Sequence, residues 1–231
     1  MPQDQLNVAS IFDWSKRSIR SKGITGFADF MFSFCTDYLF DLRYGTNTGG
    51  RIPPSQFKTC SSNVRHSVRY QASKARPLKL LLQRLSLPRD CVFVDVGSGK
   101  GKALLIASGF GFKRLIGVEF SRDLCEISRS NIKIFKEKTG CQADISAVES
   151  DIDEYDIKND ENIFYLYNPF DEIVMQKFLE KIKRSIDNYE RKIWLIYHIA
   201  EHGDIAAESK LFWRATQYTL GGTEFIVYES G

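Results

Sequence analysis

The sequence predicts an α/β fold: a mixed, largely parallel sheet of seven strands with helices on both faces, behind an N-terminal helical extension. Three observations predict it. From about residue 90 onward, short apolar runs rich in β-branched residues alternate with amphipathic segments, and that alternation implies parallel strands joined by crossover helices. The first such run, Cys91 to Val96, leads into the glycine-rich stretch Gly97 to Gly101. The last two runs flank Gly221-Gly222, a two-residue hairpin signal that closes the sheet with an antiparallel pair.

Each element follows in order. Ile19, Ile24, Phe27, Phe30, Met31, Phe34, Tyr38 and Leu42 recur at roughly helical spacing. Arg43 to Ser55 then holds three Gly, two Pro and three Ser or Thr, which is loop chemistry. A helix over Leu78 to Leu87 places Leu78, Leu81, Leu82 and Leu85 on one face, with Pro77 in its first turn and Pro88 as its stop. Strands are expected at 91–97, 114–120, 144–150, 161–168 and 191–198. Cys91 opens the first as a small core residue. The helix after the second strand takes Ser121 as N-cap and Gly140 as C-terminal stop. The helix before the fifth carries the apolar stripe Ile173, Val174, Phe178, Ile182 and Ile186. Runs at 211–220 and 223–230 form the hairpin.

Composition bounds the function. The chain has 231 residues, 43% apolar and 13% aromatic, about one and a half domains at ~150 residues each. Such a chain is neither disordered, collagenous nor a disulfide scaffold. The division expected is an extension over residues 1–76, acting as a substrate cap, and a catalytic domain over 77–231. The formal charge of +3 hides an asymmetry: residues 42–89 contain ten Lys or Arg and no Asp or Glu. A solvated face, an anionic substrate, the carboxylate of a cofactor and nucleic acid are all open as its purpose. Against nucleic acid, the pI is about 8.5, and no known nucleic-acid module is visible. Five cysteines without a CxxC spacing and three histidines argue against zinc and for reduced thiols in a cytoplasmic protein. The start of the chain lacks the features of a secretory signal. The most apolar stretch, Phe27 to Phe40, has 14 residues and contains Asp29 and Asp37, too short and too charged to span a membrane.

The chemistry collects at strand ends. Gly97, Gly99 and Gly101 follow a strand and open a helix, so positive φ angles and exposed N–H groups are available to a ligand. Glu119 ends the second strand, where an acid hydrogen-bonds ribose hydroxyls in Rossmann-like sites. Asp151 follows the third strand and Asn168-Pro169-Phe170 ends the fourth; a solvated acid and an ordinary turn are the simpler readings of these two. All lie on the carboxyl edge, where open α/β sheets bind ligands. The GxGxG spacing is neither the dinucleotide GxGxxG nor the phosphate loop GxxxxGK[ST].

Together these motifs resemble the class I S-adenosylmethionine-dependent methyltransferases, over about residues 78–231. The resemblance rests on Asp95-Val96-Gly97-Ser98-Gly99-Lys100-Gly101, on Gly117-Val118-Glu119-Phe120, on Ser150-Asp151-Ile152 and on Asn168-Pro169-Phe170. The chain is further similar to a bacterial group of unknown substrate that shares the VDVGSGKG and YNPF runs and an upstream RYGT-type segment, here Arg43 to Thr46. It is more distantly similar to seven-strand protein-lysine methyltransferases. The resemblance implies the strand order 3-2-1-4-5-7-6 and S-adenosyl-L-methionine as cofactor. It also implies that Asp95, Val96, Gly97, Ser98, Gly99 and Gly101 line the methionine and ribose part, and that Glu119, followed by Phe120, binds the ribose hydroxyls. Asp151 would accept from the adenine amino group, and Ile152 would pack on the ring. Tyr70 would close over the cofactor, and Tyr44, Thr46, Asn47 and Thr48 would line the substrate entrance. Asn168 and the Pro169 carbonyl would hold a substrate amine, with Phe170 offering its face to a cationic nitrogen. Related amine methyltransferases carry two prolines at that motif; this chain has one. Methyl transfer from an activated sulfonium needs mainly positioning. His198 is the expected base where one is needed, ahead of His66 and His202. The acceptor implied is a nitrogen on a protein side chain or small molecule. RNA or DNA methylation, and a non-catalytic cofactor-binding module of the same fold, are the alternatives.

Overall fold

The computed structural model describes residues 32, 35–59 and 61–231. Ile19, Ile24, Phe27, Phe30, Met31 and Phe34 of the expected first helix lie outside the described residues. Its described part, α1, runs through 35–44. There Tyr38 and Leu42 are 64% and 60% exposed, while Phe40 and Tyr44 pack toward the core, so the inward face differs from the one expected.

The large sheet comprises β3 (Val92–Val96), β4 (Arg114–Glu119), β5 (Ile145–Glu149), β6 (Glu161–Tyr167), β7 (Trp194–His198), β8 (Arg214–Leu220) and β9 (Thr223–Glu229). Its order is β5-β4-β3-β6-β7-β9-β8. Counted within this sheet, that is the 3-2-1-4-5-7-6 order expected. The first five strands pair in parallel, and β9 runs antiparallel to both β7 and β8. Gly221 and Gly222 both have positive φ, 54° and 68°, as a tight hairpin with matching twist requires.

Period-two alternation divides the core into two layers. Val92, Val94 and Val96 point to the layer that holds Phe164, Leu166 and Leu195, covered by α5 (Glu172–Asn188) and α6 (Gly203–Glu208). Phe93, Leu115, Ile163 and Tyr165 point to the other, covered by α2 (Ala75–Leu85), α3 (Lys102–Ala107) and α4 (Arg122–Thr139). Cys91 is buried just before β3. On α5, Ile173 is 47% exposed, and Met175 and Leu179 are buried in its place. The stripe begins one residue later than expected because Asp171 caps the helix, accepting from the Ile173 and Val174 N–H groups.

Two further starts differ from expectation. The α2 helix begins at Ala75, three residues early, because the Asp37 carboxylate on α1 accepts from the Ala75 N–H at 2.8 Å. Ser121 is the N-cap of α4, yet its hydroxyl makes no cap hydrogen bond and is buried without a partner among the described residues. Gly140 ends that helix in the left-handed region, φ 71°, as read from the sequence. Within the expected loop, β1 (Arg51–Ile52) pairs antiparallel with β2 (Tyr70–Gln71) as a small separate ribbon. No described helix is long and apolar enough to cross a membrane.

Candidate functional site

The glycine loop is shaped by the strand it leaves. Gly97 and Ser98 donate their N–H groups to the Val118 carbonyl at 2.9 and 3.1 Å, which folds the loop across the end of β4. Gly97 has φ 72°, and a Cβ there would meet Pro169 Cβ at 2.6 Å. Gly99 has φ 53°, and a Cβ there would collide with the Tyr70 ring. The loop is therefore sandwiched between the β6 exit and β2 with no room for side chains.

Glu119 is the anchor. It is 3% exposed. Its Oε2 accepts from the Gly99 N–H and its Oε1 from the Ser121 N–H, each at 2.8 Å. These donors leave part of the carboxylate's lone-pair sites open. Burial pushes its pKa up to about 7, against the pull of these backbone donors. Asp95, also 3% exposed, has no hydrogen-bond donor among the described residues. Burial first, then the nearby Glu119 charge, pushes its pKa up to about 8. Both carboxylates line one cavity with Gly97, Ser98, Phe120, Tyr70, Asn168 and Pro169.

Not every expected residue reaches that cavity. Val96 is a core residue of β3, Gly99 lies under Tyr70, and Gly101 is the N-cap of α3, packed on Ser128. Asp151 is engaged by the extension: Asn63 Nδ2 donates to Oδ1 at 2.8 Å and the Ser61 hydroxyl to Oδ2. Its own turn adds the Asp153 N–H at 2.9 Å on Oδ1. Ile152 packs in the core. The Pro169 carbonyl accepts from the Val68 N–H at 3.2 Å, which leaves one of its two lone pairs for a further donor. Phe170 is 6% exposed and packs in the core with its ring in a T-shaped arrangement against Phe178.

His198 is also corrected. It is fully buried, stacked on Tyr167 at 3.9 Å and tilted against Phe225. Its Nδ1 meets the Tyr165 hydroxyl at 2.9 Å. Burial, then Lys74, pushes its pKa down to about 3. A ring so enclosed is a packing element of the sheet and has no path to a proton on a substrate. His66 instead pairs with Asp171 at 2.6 Å, fastening the extension to the start of α5.

The polar loop after α1 is a clamp and not an entrance lining. Asp41 accepts from the hydroxyls of Thr46 and Thr48 and from the N–H groups of Thr48 and Gly49. Asn47 exchanges hydrogen bonds with Asn131 of α4. Lys100, inside the glycine loop, donates to the Gly49 carbonyl at 2.7 Å. The Tyr70 hydroxyl donates to the Thr48 carbonyl at 2.5 Å. Tyr44 packs between Phe40 and Phe135.

Several site residues carried no signal of their own in the sequence. Tyr197 donates from its hydroxyl to Asn168 Oδ1 at 3.1 Å, while the left-handed Asn168 backbone, φ 41°, turns the residue at the end of β6; Asn tolerates that region. Lys102 lines the cavity at 3% side-chain exposure, neutralised by Asp37 at 2.8 Å. Phe57 packs edge-on against Phe120. Arg69 and Tyr167 complete the mouth.

A family model described as "Histone methylation protein DOT1" matches residues 56–163, somewhat less than half of the chain. That span includes the glycine loop, Glu119 and Asp151. No curated protein matches. Among solved structures, the chain is similar to a SAM dependent methyltransferase from Aquifex aeolicus, at TM-score 0.51 and 16% identity, over 66% of this chain and 88% of that one. It is similar to a protein from Methanococcus maripaludis provisionally named an S-adenosyl-L-methionine-dependent methyltransferase, at 0.51 and 11%, over 67% and 84%. It is also similar to one from Nostoc punctiforme provisionally named an O-methyltransferase, at 0.52 and 15%, over 68% and 56%. The likeness at these identities is one of fold: the chain has the seven-strand fold of these methyltransferases.

Proposed function

We propose that the chain is an S-adenosyl-L-methionine-dependent methyltransferase acting on a nitrogen of a protein side chain. One observation carries the cofactor: the buried Glu119 carboxylate, held by the Gly99 and Ser121 N–H groups at the cavity wall. Its remaining lone pairs suit two neighbouring hydroxyls, and a glycine loop with no room for a Cβ suits a close-packed nucleoside. Asp95 adds a buried carboxylate without a donor of its own, which suits the cofactor's ammonium group. Bound there, the cofactor supplies a methyl group on a sulfonium that is already activated for transfer. The residues of this chain supply orientation and exclusion of water. Glu119 and the glycine loop set the cofactor's place, Tyr70 covers the loop, and residues 43–71 form the cap.

Asn168 remains the acceptor-holding group. Tyr197 orients its amide, and it stands in the same cavity as Asp95. With Phe170 and His198 packed in the core and the Pro169 carbonyl shared with the Val68 N–H, the nitrogen reading rests mainly on Asn168 and on the match to a family described by protein methylation. A neutral amine that arrives oriented needs no strong base. Calorimetry with S-adenosylhomocysteine tests the cofactor. The wild type is expected to bind, and Glu119→Ala to lose at least about tenfold in affinity, about one charge-assisted hydrogen-bond pair. Absent binding, or an unaffected variant, would remove the assignment. Methyl-labelled cofactor incubated with fractionated cell lysate tests the acceptor. Label is expected in protein; label confined to nucleic acid or to small molecules would overturn that choice.

A further inference from the structure

The mouth of the cavity carries a charge that the fold leaves without a carboxylate partner among the described residues. The ribbon register sets Arg51 opposite Gln71 and Ile52 opposite Tyr70. Directly paired residues share a face and neighbours alternate, so Tyr70 faces Gly99 while Arg51 and Gln71 turn the other way. Arg69, two residues before Gln71, lines the cavity together with Tyr167 and Asn168. The three side chains act on the Tyr167 hydroxyl: burial pushes its pKa up, Arg51, Gln71 and Arg69 pull against that rise, and Asp37 adds to it.

Arg51 and Arg69 are exposed, and neither pairs with a carboxylate among the described residues. Other cations here are matched: Lys102 with Asp37, Lys58 with Asp123. Residues 42–89 contain no acid, and Asp37, which also acts on the Tyr167 hydroxyl, is engaged by Lys102. Asp95 and Glu119 lie on the buried side of the cavity. Arg69 lines the cavity with Asn168, and Arg51, on the paired strand, acts on the Tyr167 hydroxyl of the same cavity; two guanidinium forks match carboxylates in shape and charge. Val68, 40% exposed between the ribbon and Pro169, gives an extended segment an apolar resting place.

We propose that Arg51 and Arg69 form an acceptor subsite that selects a peptide bearing carboxylates beside its methylated lysine. This rests on the methyltransferase reading and narrows it to an acidic peptide. The rival role for Arg69 is to hold the cofactor's own carboxylate.

Fluorescence anisotropy without cofactor compares lysine peptides flanked by Asp or Glu with the same peptides flanked by Asn or Gln, and methylation assays repeat the comparison. The wild type is expected to prefer acidic flanks by about tenfold, the sum of two modest exposed ion pairs. That preference should shrink at high salt. The double variant Arg51→Gln/Arg69→Gln should lose the preference while keeping its affinity for S-adenosylhomocysteine. Arg51→Glu/Arg69→Glu should turn it toward Lys-flanked peptides. Equal binding of acidic and neutral peptides by the wild type, or binding of neither, would overturn the proposal. So would a tenfold loss of S-adenosylhomocysteine affinity in Arg69→Gln, which would assign Arg69 to the cofactor. A wild type that binds no S-adenosylhomocysteine would bring down the methyltransferase reading instead, and the anisotropy result shows the two failures apart.

Discussion

Tyr70, Gly99 and Glu119 act as one unit. The ring rests where a Gly99 side chain would stand, and the Gly99 N–H feeds the Glu119 carboxylate. The ring cannot swing aside freely, because its hydroxyl is tied to the Thr48 carbonyl. Gly99→Ala therefore meets two costs: a left-handed backbone, about 1 kcal/mol for a residue with a Cβ, and displacement of a buried ring. We expect S-adenosylhomocysteine affinity to fall more than about tenfold and the melting temperature by at least about 4 °C. Gly140, also left-handed but with open space around it, is the control. Gly140→Asn should change the melt little, since Asn tolerates this region. Calorimetry and thermal melts on both variants check the contrast. At this scale the glycine spacing and Glu119 were legible in the chain, because each does its work through its own backbone or charge. Asp151 was not. Its acid was visible, but its partners Ser61 and Asn63 stand about ninety residues earlier.

The loop between α1 and β1 draws its shape from a single side chain. Asp41, at the end of α1, gathers the Thr46 and Thr48 hydroxyls and the Thr48 and Gly49 N–H groups. The ordered loop then presents the Gly49 carbonyl to Lys100 and the Thr48 carbonyl to Tyr70. Asp41→Ala leaves these donors without their acceptor. We expect a loss of about 2–3 kcal/mol, typical of removing a partly buried carboxylate with several partners. Protease cleavage between residues 45 and 52 should rise in parallel. A melt and a timed digest test both; an unchanged digest would show that the loop holds its shape without Asp41. Composition marked this stretch as a loop, and it is one. What composition could not show is that its threonines and asparagine point inward, as local and long-range fasteners.

Across the whole molecule, the buried acids set a pH dependence. Asp95 and Glu119 titrate at about 8 and about 7 in the folded chain, well above the ordinary carboxylate range. A raised acid pKa means that the folded state binds more protons than the unfolded one between the two values. The stability these groups contribute is thus fully present below about pH 4 and is lost as pH rises through about 8. Asp95→Asn removes the larger part of that dependence. Relative to wild type, the variant should melt higher at pH 8.5 and nearly equally at pH 4.5, while binding the cofactor more weakly. A wild-type-minus-variant difference that stays constant across pH would contradict this. The unliganded fold therefore carries a cost at neutral pH that a cationic ligand group beside Asp95 would relieve.

The sequence by itself determined the class of fold, the order of helices and strands, the closing hairpin, and the placement of the glycine loop and Glu119 on the carboxyl edge. These are encoded by periodicity and spacing, which act over a few residues. Only the tertiary structure decided which polar groups remain open. Asp151 is taken by Ser61 and Asn63, and Lys102 by Asp37, while the Pro169 carbonyl is shared with the Val68 N–H. His198 of β7 is sealed between aromatic rings of β6 and β9. Each of these pairings joins residues far apart in the chain, where no local pattern shows whether a donor has been claimed. Arg51 and Arg69, without a carboxylate partner among the described residues, became visible for the same reason.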